Sequence, residues 1–366
     1  MTPNAGTRPA SGAAPADALH ESVFLKACRR EKTPRTPVWL MRQAGRYMKE
    51  YRTIREKTPF LSICRDKDLV AEITVTAQEK IGADAAILFA DILLIVEPFG
   101  LGLDFAKGDG PSIRRPVRQA ADVEALPEVE PAESLAYVLD AARLTRSSLK
   151  PGVPLIGFAG APFTLAAYMI EGGSSRDFEA AKRFLYDDPG AWKALMEKIA
   201  RATSKYLNAQ IDAGVQAVQL FDSWVGCLEP AEYEEYVLPY TAQVFRSLKP
   251  GVPAIHFGTG TAALLELMAR AGGDVIGVDH RVPLDEAWKR VGYNRAIQGN
   301  MDPLVLCSSL ENIKNHAVMI LDQARGRQGH IFNLGHGVLP ETPVENVIAL
   351  TAMVREFSGK IQEFLG

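Results

Sequence analysis

Eight short apolar runs punctuate the chain, and longer segments of helical periodicity lie between most of them. The runs begin near Pro37, Ala85, Val153, Val215, Val252, Asp274, Arg295 and His330. They read as strands buried on both faces, the habit of a parallel sheet covered by helices. The clearest helical segments run from about Asp66 to Ile81, Ala191 to Ala213 and Ala231 to Leu248. Asp66 and Ser134 suit N-caps, and Gly82 and Gly214 suit helix stops. Eight alternating strands and helices predict an α/β fold: a single (β/α)8, TIM-type barrel with its active-site cleft at the C-terminal ends of the strands. An open doubly wound sheet is the alternative. Its fingerprint, G-x-G-x-x-G after the first strand, is missing, and Gly258-Thr259-Gly260 reads as a plain loop. The long connection from Ile92 to Pro151 should hold a small excursion from Leu103 to Val117, with a Gly-Asp-Gly turn at 108–110, and a helix after Pro131.

With 366 residues, 47% of them hydrophobic, the chain can bury one large core. Residues 19–366 are assigned to the barrel. Residues 1–18, rich in Ala, Pro, Gly, Ser and Thr, are expected to be a disordered tail. No apolar stretch is long enough to span a bilayer, and the N-terminus has no apolar core of a secretory signal. Cys28, Cys64, Cys227 and Cys307 are far apart and form no Cys-x-x-Cys, which points to reduced thiols, no structural zinc and a cytoplasmic protein.

The charge is unevenly placed. Residues 29–67 hold twelve Lys/Arg against four Asp/Glu, in a chain of net charge −3. Such a stretch attracts anions. Its basic residues are interleaved with apolar ones and with Pro and Gly, which argues against a nucleic-acid tract and for a small, highly anionic ligand. Within it, the apolar run ending at Met41 gives way to Arg42-Gln43-Ala44-Gly45-Arg46. If a helix starts after Met41, Arg42 and Arg46 share a face, and two guanidinium forks side by side suit a polyanion. The plain alternative is a solvated basic face.

In a barrel of this kind chemistry gathers where strands end. Polar residues recur there: Arg42, Asp91, Ser223, His256, His280 and His336, with Tyr168 a little beyond the third strand. Asp91 lies in Leu88-Phe89-Ala90-Asp91-Ile92-Leu93-Leu94, where a carboxylate is costly without donors. It reads either as a helix cap or arginine partner, or as an acceptor for several ligand N–H groups. His336 lies between Gly335 and Gly337, small residues that would allow a ligand to approach closely. His256 and His280 fit core or strand-end positions better.

These segments resemble the uroporphyrinogen decarboxylase family over residues 20–366. The likeness is carried by residues 37–52, by Gly157 to Thr164 and on through Tyr168 to Glu171-Gly172-Gly173, and by Leu88-Phe89-Ala90-Asp91-Ile92, Phe221-Asp222-Ser223 and Asn333-Leu334-Gly335-His336-Gly337. One departure is Lys49, where the family usually has proline. The resemblance implies a (β/α)8 barrel, a homodimer, no cofactor and no metal. It also implies loss of four acetate carboxylates of uroporphyrinogen as CO2 to give coproporphyrinogen.

By position, Arg42 and Arg46 would bind substrate carboxylates, with Gln43, Ala44 and Gly45 between them. Asp91 would accept the pyrrole N–H groups. Tyr168, Ser223 and His336 would contact acidic side chains, and Phe221 would pack on the macrocycle. Asp91, Arg42, Arg46 and Tyr168 are the catalytic candidates. The substrate's pyrrole can act as the electron sink that other decarboxylases borrow from a cofactor. Two rivals compete. A zinc-dependent corrinoid/thiol methyltransferase of the same fold needs a His-x-Cys pair, where this chain has His256-Phe257-Gly258. A non-catalytic tetrapyrrole carrier would need the arginines but not the full set of Asp91, Tyr168 and His336.

Overall fold

A computed structural model describes residues 16–106 and 110–365. Nine strands are present among the described residues: β1 (Ala86–Ile87), β2 (Leu103–Ala106), β3 (Gly110–Ile113), β4 (Leu155–Gly160), β5 (Ala217–Asp222), β6 (Ala254–Gly258), β7 (Val275–Gly277), β8 (Ala296–Met301) and β9 (His330–Leu334). Seven of them form one sheet in the order β1-β4-β5-β6-β7-β8-β9, every pair parallel. Apart from Phe221 at the cleft edge, their residues are buried throughout. That is why the runs are continuously apolar rather than alternating.

The expected eighth strand is the main correction. Residues 37–41 do not form a strand of the sheet, and Val38 pairs with Phe332 as an isolated parallel bridge. Around it, Phe332 N donates to Pro37 O, Trp39 N to Phe332 O and Asp84 N to Val38 O. One short piece of chain thus spans the seam between β9 and β1 without making a regular ladder to either. The result is a curled seven-stranded parallel sheet rather than a closed eight-stranded barrel. Trp39 and Leu40 are nevertheless fully buried, and each such side chain contributes about 1.5–3 kcal/mol. Inside the curl, Trp39 Nε1 donates to Gln298 Oε1, Gln298 Nε2 to Gln219 Oε1, and Gln219 Nε2 to the sulfur of Met41. Buried polar groups paired in this way do not oppose folding.

The helix Lys67–Ile81 has the expected ends. Asp66 accepts the N–H groups of Asp68 and Leu69, and Gly82 closes the helix at φ 68°. The helix Pro189–Asp212 fills the Ala191–Ala213 segment, with Asp188 as its cap. Two expectations fail locally. The Ala231–Leu248 segment is split into Pro230–Tyr236 and Leu238–Arg246, because Pro239 lacks the N–H that a continuous helix needs. Ser134 is not an N-cap: it ends the short helix Pro131–Ser134 and donates to Glu130 O, while Ala136–Ser148 follows Leu135. The excursion is present as the antiparallel pair β2 and β3, and residues 108–109 of its turn lie outside the described residues. So does the expected tail up to residue 15, whereas Ala16–His20 is a short helix.

Candidate active site

The cleft is built from the N-terminal seam outward. The segment after Met41 is not helical but makes two tight turns, in which Gln43 N donates to Leu40 O and Met48 N to Gly45 O. Arg42 sits at φ 59°, in the left-handed region that favours glycine. Asn333 Oδ1 accepts Met41 N at 3.1 Å, and Val338 N donates to Met41 O at 3.0 Å. These bonds strap the Met41–Arg42 turn to the end of β9. A Cβ at Gly337 would lie 2.4 Å from Arg42 Cδ, and one at Gly335 only 2.2 Å from His280 N. The two glycines therefore admit protein neighbours, the Arg42 stem and the 279–280 backbone.

Asp91 follows β1. Its Oδ1 accepts Leu93 N at 2.8 Å and turns the chain into the 3-10 segment Leu94–Phe99. This bond makes an Asx turn ahead of the segment rather than a helix cap, because Leu93 holds the N-cap position. Among the described residues this is the carboxyl's one hydrogen bond, and the half-buried carboxyl also lines the cleft. Burial pushes its pKa up to about 6, against the opposing pull of the Leu93 N–H and the Arg42 charge. Desolvation pulls Arg42 down from its ordinary value, Asp91 opposes that, and nearby Arg46 adds to it.

Arg42, Ala44, Asp91, Tyr168, Phe221, Ser223 and His336 line one cavity of about 280 Å³. Tyr168 is on the helix Pro162–Glu171, and its hydroxyl is pushed up to about 12, first by burial and then by Asp91. It therefore remains a protonated donor at neutral pH. His336 is lowered to about 4, chiefly by desolvation and then by Arg42, so it is neutral near pH 7. Its Nδ1 accepts Gly337 N at 2.8 Å, which assigns the ring proton to Nε2. Phe221 stands between Phe158 and Phe257, with ring centroids 5.5 and 5.8 Å away, both edge-on. Those two rings, Trp224, Phe89 and Pro111 also line the cavity. The sequence reading missed them. The apolar strand-end positions of Phe158 and Phe257 look the same whether they face a cleft or the core.

The other sequence candidates lie apart from the cavity wall. Arg46 is exposed. Gln43 is fully buried; its amide faces Ala85 O and its own carbonyl accepts the Tyr47 hydroxyl at 2.6 Å. A Cβ at Gly45 would stand 2.9 Å from Arg42 O, so glycine keeps the turn tight. His256 is a core residue: Nδ1 donates to Met268 O at 3.2 Å. Much of the basic stretch is engaged elsewhere: Arg29 with Glu31, Arg35 with Asp84 and Arg65 with Glu97. Arg52 donates to the carbonyls of Arg46 and Tyr47. Lys49 is the first residue of the helix Lys49–Lys57, the position at which proline is best tolerated. This accounts for the interchange there. No helix among the described residues is long and apolar enough to cross a membrane.

A family model described as uroporphyrinogen decarboxylase (URO-D) matches residues 19–357. A protein of that name from Sorangium cellulosum is 56% identical over 332 residues, covering 90% of this chain and 95% of its own. Another, from Carboxydothermus hydrogenoformans, is 54% identical, covering 94% and 98%. Among solved structures, a methyltransferase from Methanosarcina mazei superposes with a TM-score of 0.78 at 21% identity, over 92% of this chain and 98% of that one. That likeness is one of fold.

Proposed function

Because the chain belongs to the uroporphyrinogen decarboxylase family, we propose that the cleft around Asp91 is where it binds and decarboxylates its substrate. The protein is a carboxy-lyase that converts uroporphyrinogen III to coproporphyrinogen III. The observation that carries the site assignment is Asp91: a half-buried carboxyl, held by one backbone N–H, facing a cavity shared with Arg42, Tyr168 and His336.

The chemistry needs little more. Protonation of a pyrrole ring carbon beside the acetate makes an iminium-like cation. The bond to the carboxylate breaks, CO2 leaves, and its electron pair returns to the ring. A second proton then completes the methyl group, and the ring carbon releases the first one, which restores the aromatic pyrrole. Asp91, ionised above about pH 6, accepts the pyrrole N–H groups and offsets the positive charge as it develops. Its surroundings are fixed in advance, which is what makes such stabilisation effective.

Arg42 holds a carboxylate at the cleft wall, and Arg46 extends that reach at the rim. Gln43, Ala44 and Gly45 shape the turn that carries both. Tyr168 and His336 donate O–H and Nε2–H to acidic side chains, Ser223 adds a hydroxyl, and Phe221 packs on the macrocycle. On this reading residues 19–366 form the catalytic domain. The enzyme works as a cytoplasmic homodimer without cofactor or metal, and its partner is the small-molecule substrate rather than nucleic acid or membrane. Anaerobic incubation with uroporphyrinogen, then oxidation and chromatography, should yield coproporphyrin. If no such product appears, the reading fails.

A further inference from the structure

The peptide unit that joins Ser223 to Trp224 is held at both ends by threonine hydroxyls from neighbouring elements. Ser223 lines the cavity just beyond β5. Its carbonyl accepts the Thr259 hydroxyl, which comes from the loop after β6. The N–H on the other side of the same peptide, that of Trp224, donates to Thr164 Oγ1 at 3.3 Å. Thr164 is on the helix Pro162–Glu171, about one turn before Tyr168. Two further contacts draw these elements together. Ala161 N donates to Phe221 O at 2.8 Å. A Cβ at Gly226 would lie 2.3 Å from Thr259 O, so glycine there lets the β5 and β6 loops meet backbone to backbone.

Asp222 sets the polarity of this clamp. It is the last residue of β5 and, like Thr164, is fully buried. A carboxylate without donors is costly there. Its Oδ1 accepts the Thr164 hydroxyl at 3.1 Å, and its Oδ2 stands 3.9 Å from His256 Nε2, beyond hydrogen-bond reach. Elsewhere helical threonines give the hydroxyl proton to the carbonyl four residues back, as Thr74 does to Val70 O and Thr351 to Val347 O. Thr164 gives its own across to the neighbouring strand. A hydroxyl has one proton to donate, and a carboxylate only accepts. With that proton spent on Asp222, the Thr164 oxygen is left as an acceptor for Trp224 N. On the far side Thr259 donates, because a carbonyl only accepts. The peptide plane is therefore fixed at both ends, and with it the direction in which the Ser223 side chain leaves the backbone.

We propose that Thr164 and Thr259 are positioning residues for the reaction: their hydroxyls hold the Ser223–Trp224 peptide so that the Ser223 hydroxyl is aimed at an acidic side chain of the substrate. The inference rests on the reading that Ser223 contacts those side chains. It adds what aims that hydroxyl, and it gives Asp222, which the mechanism above does not use, the task of orienting Thr164.

Substitutions that remove only a hydroxyl test it, with kcat/KM measured on folded enzyme. Thr259→Val, in a half-buried loop, should lower kcat/KM roughly fivefold, the size of one neutral hydrogen bond. Thr164→Val should lower it at least as much, since it also strips Asp222 of its donor. Should that variant fail to fold, Thr259→Val carries the test alone. Thr259→Ser keeps the hydroxyl and should restore most of the loss. Ser223→Ala should lower kcat/KM by roughly tenfold to a hundredfold, because its bond goes to a charged group. In the Ser223→Ala background Thr259→Val should cost nothing further, since the threonine acts through that serine. A purely structural role would move the thermal transition without producing this non-additivity. If Thr259→Val keeps full activity, if Thr259→Ser does not restore it, or if the losses of Thr259→Val and Ser223→Ala multiply, the clamp does not aim Ser223 and only this inference falls. If Ser223→Ala is itself fully active, the reading beneath it falls as well.

Discussion

Two aspartates seven residues apart, one at each end of β1, show how the same side chain takes opposite roles. Asp84, at the N-terminal end, is 8% exposed and fully engaged. Both its oxygens accept from Arg35 at 2.7 Å, Arg355 adds a bond at 2.8 Å, and Val38 N donates to it at 2.8 Å. Asp91, at the C-terminal end, accepts one backbone N–H at 2.8 Å, and Arg42 reaches it only through space. Both are shielded from solvent, Asp84 almost wholly and Asp91 in part, so shielding alone does not separate a structural carboxylate from a reactive one. Acceptor capacity does. Asp84 spends its capacity on the seam, and Asp91 keeps most of its own for the cleft.

The sharpest way to break this contrast is to remove each carboxylate in turn. Asp91→Ala should cut turnover about a thousandfold, as losing a preorganised electrostatic stabiliser does, with the thermal unfolding transition intact. Product chromatography and calorimetry check the two halves, and near wild-type kcat would undo the electrostatic argument. Asp84→Ala should do the reverse. It leaves two guanidinium groups and Val38 N without their acceptor, so stability should fall by about 3 kcal/mol in denaturant titration. The kcat of the folded fraction should stay close to wild type.

The smallest effect is a pH dependence. The pKa of Asp91 is raised to about 6 from 3.8. The folded state therefore binds that proton more tightly than the unfolded chain. The corresponding stability is fully present below about pH 4 and is lost as pH rises through about 6. Asp91→Asn should accordingly match the wild type near pH 3.5 and exceed it by about 1–3 kcal/mol at pH 8. A constant difference across that range would show that the Asp91 carboxyl is not destabilised by its surroundings.

Much of this was legible in the sequence, and the failures have physical causes. Seven of the eight runs are strands of the sheet because buried parallel strands are apolar throughout. The run at Pro37 looks the same but becomes a bridge, since Val38 must serve both Phe332 and the Asp84 segment. The condition that a helix starts after Met41 is not met. Nothing in Arg42-Gln43-Ala44 announces a left-handed arginine, and only the straps from Asn333 and Val338 require it. Strand-end polarity pointed to Asp91, Ser223 and His336 correctly as neighbours. It could not distinguish Gln43, which faces inward, from Ala44, which faces the cleft. Local charge density overstated the cationic wall, because most ion pairs form between residues far apart in the chain.

The strap on the Met41–Arg42 turn has a consequence for biosynthesis. Met41 and the Asn333 that holds it are separated by 292 positions, so the arginine wall cannot be finished while the far segment is still being made. Earlier-translated elements can collapse and pair beforehand, since domains fold progressively during synthesis. The nascent protein therefore passes through most of its manufacture as an inert scaffold, and competence to bind an anionic ligand arrives as a late event rather than growing with chain length.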